Sequence, residues 1–271
     1  MRGRTAWAAL CLILAAALLF YPAAARAWNE RHHAELAYRQ EETVQKIPRS
    51  ETEEMVRKAR AYNALLAGGL SLSREGEEVC TDYDKLLDPS GDGIMGTLEI
   101  PTLDLKMSVH HGTDSDTLSR YVGHVAGTSL PVGGESTHAV LSGHSGLAGS
   151  RIFSDLEKLR TGDVFVLRMA GQELWYRVDK ISVVLPRDVS ELKILPGEDL
   201  VTLVTCTPYG VNTHRLLVRG VRTEPVPIQS DSEEEGQRIV RTTQDRETVA
   251  VLTGVSVIFL MSAYLVRRRV T

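Results

Sequence analysis

From Gly96 onward the chain is a succession of short apolar or alternating runs separated by Gly, Pro, Asp and Asn. Short runs bounded by such turn residues are typical of β-strands. The runs are Leu98–Ile100, Leu105–Val109, Ala139–Leu141, Val164–Leu167, Leu174–Val178, Ile181–Leu185, Val201–Val204 and Leu216–Val221. In one of them Leu174, Tyr176 and Val178 occupy alternate positions, as in a strand with one buried face. We therefore expect a mainly β fold, a barrel or a sandwich of seven or eight strands.

Two helices are expected before the strands. Residues 28–67 are charged, lack glycine and place apolar side chains at helical spacing, and Pro48 divides the segment. Ser50 followed by Glu53 matches a capping box, which predicts where the second helix starts. Residues 68–90 follow as a loop, because their first part shows no clear periodicity.

Apolar segments near both ends of the chain are membrane candidates. Residues 6–25 and 249–266 are uncharged and long enough to cross roughly 30 Å of hydrocarbon. The first follows Arg2 and Arg4, and it is either a signal peptide that is removed or an N-terminal anchor that is retained. Three arginines, residues 267–269, follow the second segment and favour a cytoplasmic C-terminus. We expect a protein of the cell membrane whose central domain lies on the extracellular side.

The composition gives no sign of a nucleic-acid partner, since the formal net charge is -4. Three cysteines are too few for the disulfide framework of an exported protein of this size. Cys11 lies in the first apolar segment, and we expect Cys80 to be structural. Cys206 remains as a candidate nucleophile, because it ends an apolar strand-like run.

A working thiol needs an imidazole or a cation that favours the thiolate. His144 lies in a Ser-Gly-His-Ser-Gly turn after another apolar run, so its ring projects from the end of a strand. Arg215 begins the run that follows Cys206, and its guanidinium suits the stabilisation of an oxyanion. Together these residues predict acyl transfer through a thioester. On spacing alone, His124 and His138 are rivals of His144.

A calcium loop is a competing interpretation of one segment. The residues at EF-hand positions are Asp88, Ser90, Asp92, Gly93 and Glu99. However, Pro101 and a strand-like run follow where the exiting helix of an EF-hand is needed. The same residues also fit a turn before the first strand, so we expect no metal.

These motifs resemble those of the sortases, and within them the pilus-assembling class C enzymes. The likeness runs from about Tyr83 to Arg222, and two membrane segments around an extracytoplasmic domain are also similar to class C architecture. The matching motifs, in the order of the family, are Gly91–Gly96, Leu130–His138, the Ser-Gly-His at His144, Thr202–Gly210 and His214–Gly220.

The resemblance implies a closed eight-stranded sortase-type β-barrel with short connecting helices and the activity of a cysteine transpeptidase. Cys206 is then the nucleophile that attacks the threonine carbonyl of a Leu-Pro-x-Thr-Gly (LPXTG-like) sorting signal on a pilin. His144 acts as general acid and base, and Arg215 holds the substrate and stabilises the oxyanion. An acceptor lysine of the next pilin subunit resolves the thioester, and no cofactor is implied. We expect the neighbouring residues Leu141, Thr205 and Thr207 to line the substrate groove.

The family pattern divides the chain into seven parts. They are a signal peptide or anchor (1–27), a helical region (28–67), a lid-like loop (68–90), the sortase β-barrel catalytic domain (91–222), a polar linker (223–248), a transmembrane helix (249–266) and a basic cytoplasmic tail (267–271).

The chain departs from the class C pattern in the lid. Class C enzymes usually carry Asp-Pro-Phe or Asp-Pro-Trp there, and neither tripeptide occurs between Gly68 and Asp84. The remaining lid candidates are Leu70, Leu72, Cys80 and Asp82. Autoinhibition by a lid is therefore not part of what the resemblance predicts for this chain.

Two alternatives to pilus polymerisation stay open on the sequence. One is a cell-wall-anchoring sortase that uses a peptidoglycan amine and shares the first half of the reaction. The other is an inactive membrane-tethered module that only binds pilins, which the intact set of Cys206, His144 and Arg215 argues against.

Overall fold

The computed structural model describes residue 21 and residues 36–68, 83–145 and 152–226. Apart from Tyr21, the two predicted membrane segments lie outside these residues. Within the described ranges, no helix combines the length and the hydrophobicity needed to cross a membrane. The chain divides into two compact units, Met1–Pro225 and Val226–Thr271, and of the second unit only Val226 is described.

Two helices precede the strands, as predicted, and Pro48 lies between them. Residues 36–46 are helical (α1), and the second helix runs over Arg49–Ala67 (α2). The predicted capping box is wrong. Because α2 begins at Arg49, Ser50 lies inside its first turn, and the carboxylate of Glu53 accepts from the Arg49 guanidinium at 2.8 Å instead.

Both helices are attached to the strands through buried amide side chains. On α1, Gln40 donates to the carbonyl of Ile94 at 3.1 Å. On α2, Asn63 donates to the carbonyl of Leu130 at 2.9 Å and accepts from the amide of the same residue at 2.7 Å. The buried apolar side chains of α2 recur three residues apart, at Val56, Ala59 and Tyr62, as a helix with one face on a core requires.

Eight strands form a closed barrel in the order β1-β2-β3-β4-β7-β8-β6-β5. They are Ile94–Ile100 (β1), Leu105–His111 (β2), Val122–His124 (β3), Thr137–Ser142 (β4), Val164–Met169 (β5), Gln172–Val184 (β6), Asp199–Thr207 (β7) and His214–Thr223 (β8). A short helix, Ser115–Arg120 (α3), connects β2 to β3, which pair in parallel. The closed eight-stranded barrel expected from the sortase resemblance is therefore present.

Two differences from the sequence expectation have simple causes. The predicted runs 174–178 and 181–185 belong mostly to one strand, β6, because a register shift between Val178 and Lys180 lets it continue along β8. The strand β3 was not predicted, since three residues are too short to show a period.

The barrel interior is filled by alternate residues of the strands. Phe165 and Tyr176 stack there with their ring centroids 5.6 Å apart. Gly220 of β8 leaves room for this pair, because a Cβ at that position would lie 2.6 Å from the Phe165 ring. The outer face of β4, β7 and β8 carries the candidate active site.

Candidate active site

Alternation along β7 places Cys206 on the outer face of the barrel. Val201 and Leu203 belong to the buried core, and every second residue of a strand shares a face. Thr202, Val204 and Cys206 therefore lie on the outer side. Cys206 is the penultimate residue of β7, half-buried, and carries a free thiol.

Arg215 is the direct neighbour of Cys206 across the β7–β8 hairpin. The two residues are Cα partners in the antiparallel ladder, so their side chains point to the same face. One guanidinium nitrogen of Arg215 donates to the carbonyls of Asn212 at 3.3 Å and His214 at 3.1 Å. No carboxylate partner of Arg215 occurs among the described residues, so its other donors are available to a substrate.

His144 follows β4, which pairs in parallel with β7. The ladder extends to Ser142 opposite Val204, and the amide of Gly143 still donates to the carbonyl of Val204 at 3.1 Å. Two more residues in the same register bring His144 level with Cys206. The three predicted site residues thus lie at the ends of adjacent strands in the order β4, β7, β8.

The turn that carries His144 is held on a second side by Phe153. The amide of Phe153 donates to the carbonyl of His144 at 3.1 Å, and its ring packs over Gly143. A Cβ at Gly143 would lie 2.7 Å from that ring. The glycine before the histidine is therefore required by the close approach of Phe153.

The expectation that Leu141 and Thr205 line the groove is wrong. Leu141 is fully buried in the core, and Thr205 is 3% exposed. Both have the opposite parity to the outward residues of their strands, which turns their side chains to the inner face. The hydroxyl of Thr205 donates to the carbonyl of Gly143 at 2.8 Å, so this residue joins the cysteine strand to the histidine turn. Thr207 is half-buried at the end of β7, and its role stays a prediction.

Of the rival histidines, His124 has a structural role. It is fully buried, and its Nε2 donates to the carbonyl of Ser129 at 2.9 Å. Its Nδ1 accepts a hydrogen bond from the hydroxyl of Tyr83 at 2.7 Å. Burial lowers the pKa of His124 to about 4, so the ring is neutral near pH 7. It has no access to Cys206 as a general base.

His138 is buried as well, with both ring nitrogens in contact with protein oxygens. It lies on β4, six residues before His144. Neither ring nitrogen of His138 is therefore free, whereas His144 continues the register of β4 towards Cys206.

Exposed apolar side chains lie in the two connections next to the site. The described part of the chain exposes nine large hydrophobic side chains, and five of them lie in the β6–β7 connection (residues 185–198) or in the β7–β8 turn. They are Leu185, Val189, Leu195, Tyr209 and Val211. Exposed apolar side chains concentrated in one region are typical of a binding surface. A cavity of about 340 Å³ lies at the starts of β6 and β7 and contains none of the three site residues.

The segment of the competing calcium loop forms a turn followed by a strand. Asp88 accepts from the backbone amides of Gly91 and Gly93 at 2.9 and 3.1 Å, which closes a turn before β1. Glu99 lies within β1 and pairs with Arg168. The lid candidates Leu70, Leu72, Cys80 and Asp82 lie outside the described residues.

The arrangement places a thiol, an imidazole and a guanidinium on one face. A thiol flanked by an imidazole and a guanidinium is suited to attack a carbonyl carbon and to stabilise the oxygen that becomes negative. This chemistry requires no metal or organic group.

Comparison with known proteins agrees with this geometry. Residues 98–223 match the model of the sortase domain family. Sortase D of Bacillus subtilis is 30% identical over 130 residues, which is 47% of this chain and 63% of that protein. The chain thus spans less than two thirds of the length of the curated relatives it matches.

Solved structures extend the likeness beyond the barrel. Sortase C1 from Streptococcus agalactiae is 39% identical with a TM-score of 0.68, and the match covers 71% of this chain and all of that one. The structure of Clostridium perfringens sortase C with the C-terminal cell wall sorting motif is also 39% identical, with a TM-score of 0.61, 71% of this chain and all of that one. The chain therefore belongs to the sortase family and is a class C sortase.

Proposed function

We propose that this sortase is a pilus-assembling cysteine transpeptidase that cleaves an LPXTG-like sorting signal between Thr and Gly. The observation that carries the proposal is the register of the site. Cys206 and Arg215 are Cα partners, and His144 reaches the same rung through the parallel β4–β7 ladder. The C. perfringens sortase C determined with a sorting motif supports the substrate class.

In the first half-reaction, the thiolate of Cys206 attacks the carbonyl carbon of the signal's threonine. The carbonyl oxygen becomes an oxyanion, and the free donors of Arg215 stabilise it. When the tetrahedral intermediate collapses, the Thr–Gly C–N bond breaks and protonated His144 gives its proton to the departing amine. The products are a thioester on Cys206 and a free glycine amine.

In the second half-reaction, the amine of an acceptor lysine on the next pilin attacks the thioester carbon. Neutral His144 takes the proton from the attacking nitrogen, the C–S bond breaks, and Cys206 leaves as a thiolate. The product is an isopeptide bond between two subunits. Water in place of the amine gives hydrolysis as a side reaction.

We further propose that the catalytic domain works outside the cell, attached to the cell membrane, with the C-terminus in the cytoplasm. The apolar residues 249–266 and the arginines at 267–269 support this topology. Secreted pilins and the membrane are then its partners, and nucleic acid is not.

The test combines the full-length chain in detergent with a sorting-signal peptide and purified pilin, and measures product masses. We expect Cys206→Ala to form neither thioester nor product, and His144→Gln to lose at least about 100-fold in kcat, the scale of general acid–base catalysis. His110→Gln is the matched control, because His110 lies on β2, which does not pair with β7 or β8, and its ring nitrogens contact backbone carbonyls.

The masses also separate the alternatives. A conjugate to a pilin lysine supports polymerisation, whereas a conjugate formed only with a peptidoglycan amine supports cell-wall anchoring. Absence of any Cys206 adduct in the folded wild-type chain would leave the pilin-binding module as the function.

A further inference from the structure

The β6–β7 connection crosses the outer face on which the site lies. In the barrel β8 separates β6 from β7, so the connection between them passes over β8. On the β6 side, Glu191 accepts from Ser182 at 2.7 Å and from Lys180 at 2.9 Å. On the far side, the carbonyl of Lys193 is bound by His138 of β4 at 2.9 Å. The connection therefore reaches across the whole width of the sheet that carries Cys206.

His138 holds this connection through one ring nitrogen and is fixed to β7 through the other. Its Nδ1 faces the carbonyl of Lys193, which can only accept, so Nδ1 carries the proton. Its Nε2 lies 2.7 Å from the hydroxyl of Thr202 and accepts a hydrogen bond from that hydroxyl when the ring is neutral. The side chain is 1% exposed, and burial lowers the pKa of His138, which favours this neutral form. The charged groups near the ring are Arg219 and Asp179, which pair with each other.

We call the hydrogen-bonded group of His138, Thr202 and the Lys193 carbonyl the clasp. Its distance from the nucleophile follows from the position of Thr202 on β7. Thr202 lies four residues before Cys206 on the same face of β7, a separation of about 13 Å at ~3.3 Å per residue. An extended peptide of four residues has about the same length. Four residues of the sorting signal precede the bond that Cys206 breaks.

We infer that His138 is a positioning residue that fixes the β6–β7 connection over β4 and β7, and with it the width of the groove that receives the donor peptide upstream of the cleaved bond. This inference rests on the proposed function, because it takes the sorting signal as the occupant of the groove. His138 acts through the connection and touches no reacting atom. It therefore governs binding of the donor and leaves the chemistry at Cys206 unchanged.

The test is steady-state kinetics of the full-length chain with a sorting-signal peptide as donor and hydroxylamine as acceptor. His138→Ala is expected to raise the KM for the peptide about tenfold, the value of one or two lost hydrogen bonds, with kcat changed less than about threefold. The KM for hydroxylamine stays at the wild-type value. His138→Gln, which retains a donor and an acceptor, restores most of the affinity.

Thr202→Val tests the same clasp from its other side. In the His138→Ala background it raises the KM for the peptide no further if both residues act as one unit. The His110→Gln variant is the control and keeps the wild-type KM. A folded His138→Ala variant with a wild-type KM, or with kcat reduced as much as kcat/KM, overturns the inference. If His138→Ala does not fold, Thr202→Val decides by the same criteria. Failure of the proposed function itself is distinguishable, because the wild-type chain would then form no thioester with the peptide.

Discussion

At the scale of single residues, parity along a strand decides which side chains meet the substrate. Thr205 and Cys206 are neighbours in sequence, yet they face opposite sides of β7. The hydroxyl of Thr205 therefore points away from the groove and binds the carbonyl of Gly143. This hydrogen bond, together with the one from the Gly143 amide to the Val204 carbonyl, joins the strand of the nucleophile to the turn of the base.

Replacing Thr205 by Val tests this link. The substitution removes the donor, leaves the buried Gly143 carbonyl without it, and shifts the His144 turn. We expect kcat to fall about tenfold and the free energy of unfolding to fall by about 1 to 3 kcal/mol. Peptide turnover and urea denaturation measure the two effects.

Thr205→Ser keeps the hydroxyl and serves as the rescue variant. Its kcat is expected to lie within about threefold of the wild type. A Thr205→Val enzyme with full kcat and unchanged stability would show that the Gly143 contact does not position His144.

At the scale of elements, helix α2 depends on one amide for its attachment to the β3–β4 connection. Asn63 satisfies both the carbonyl and the amide of Leu130, and its side chain is 3% exposed. Tyr62, beside it in sequence, packs against the ring of Tyr83 with the centroids 6.3 Å apart. Helix α2 therefore contacts the lid-like loop (68–90) at Tyr83 as well as the barrel.

Asn63→Ala is expected to lower the free energy of unfolding by about 2 to 4 kcal/mol, because two buried backbone groups lose their partner together. Chemical denaturation of the wild type and the variant measures the change. Arg57→Ala on the same helix is the control, since its exposed ion pair with Glu54 adds little to stability. Equal effects of the two substitutions would contradict a specific anchoring role for Asn63.

The boundaries of the elements also show which features can be predicted from local sequence. Seven strands and the helices α1 and α2 were predictable, because their periodicity is visible within each segment. The continuous β6 and the three-residue β3 were not, since each exists only through pairing with β8 or with β2 and β4. The start of α2 was misplaced for a similar reason, because the Arg49 contact competes with the capping box for Glu53.

At the scale of the whole molecule, the buried His124 makes stability depend on pH. Its pKa is lowered from 6.5 to about 4, so the unfolded chain binds a proton more readily than the folded protein between these values. The stability that the neutral ring contributes is present above pH 6.5 and is lost as the pH falls towards 4. A full loss corresponds to about 3 kcal/mol at 1.36 kcal/mol per pH unit.

We expect this contribution to vanish in His124→Gln, which cannot titrate. Free energies of unfolding from urea titrations at pH 6.5 and pH 4 measure it, as the difference in pH dependence between wild type and variant. His110→Gln controls for the loss of an imidazole as such. If wild type and His124→Gln lose the same free energy between the two pH values, the buried ring does not control acid stability.

Local sequence was enough to give the mainly β fold, the two helices and the three residues that carry the proposed chemistry. Short-range periodicity produces the strands, and the family motifs around Cys206, His144 and Arg215 lie within single segments. The partners of other residues depended on the closed barrel. Thr205 meets Gly143 across 62 residues and His138 meets Lys193 across 55, and contacts of that separation leave no local pattern in one sequence. Only the parallel pairing of β4 with β7 and the crossing of β8 by the β6–β7 connection bring them together.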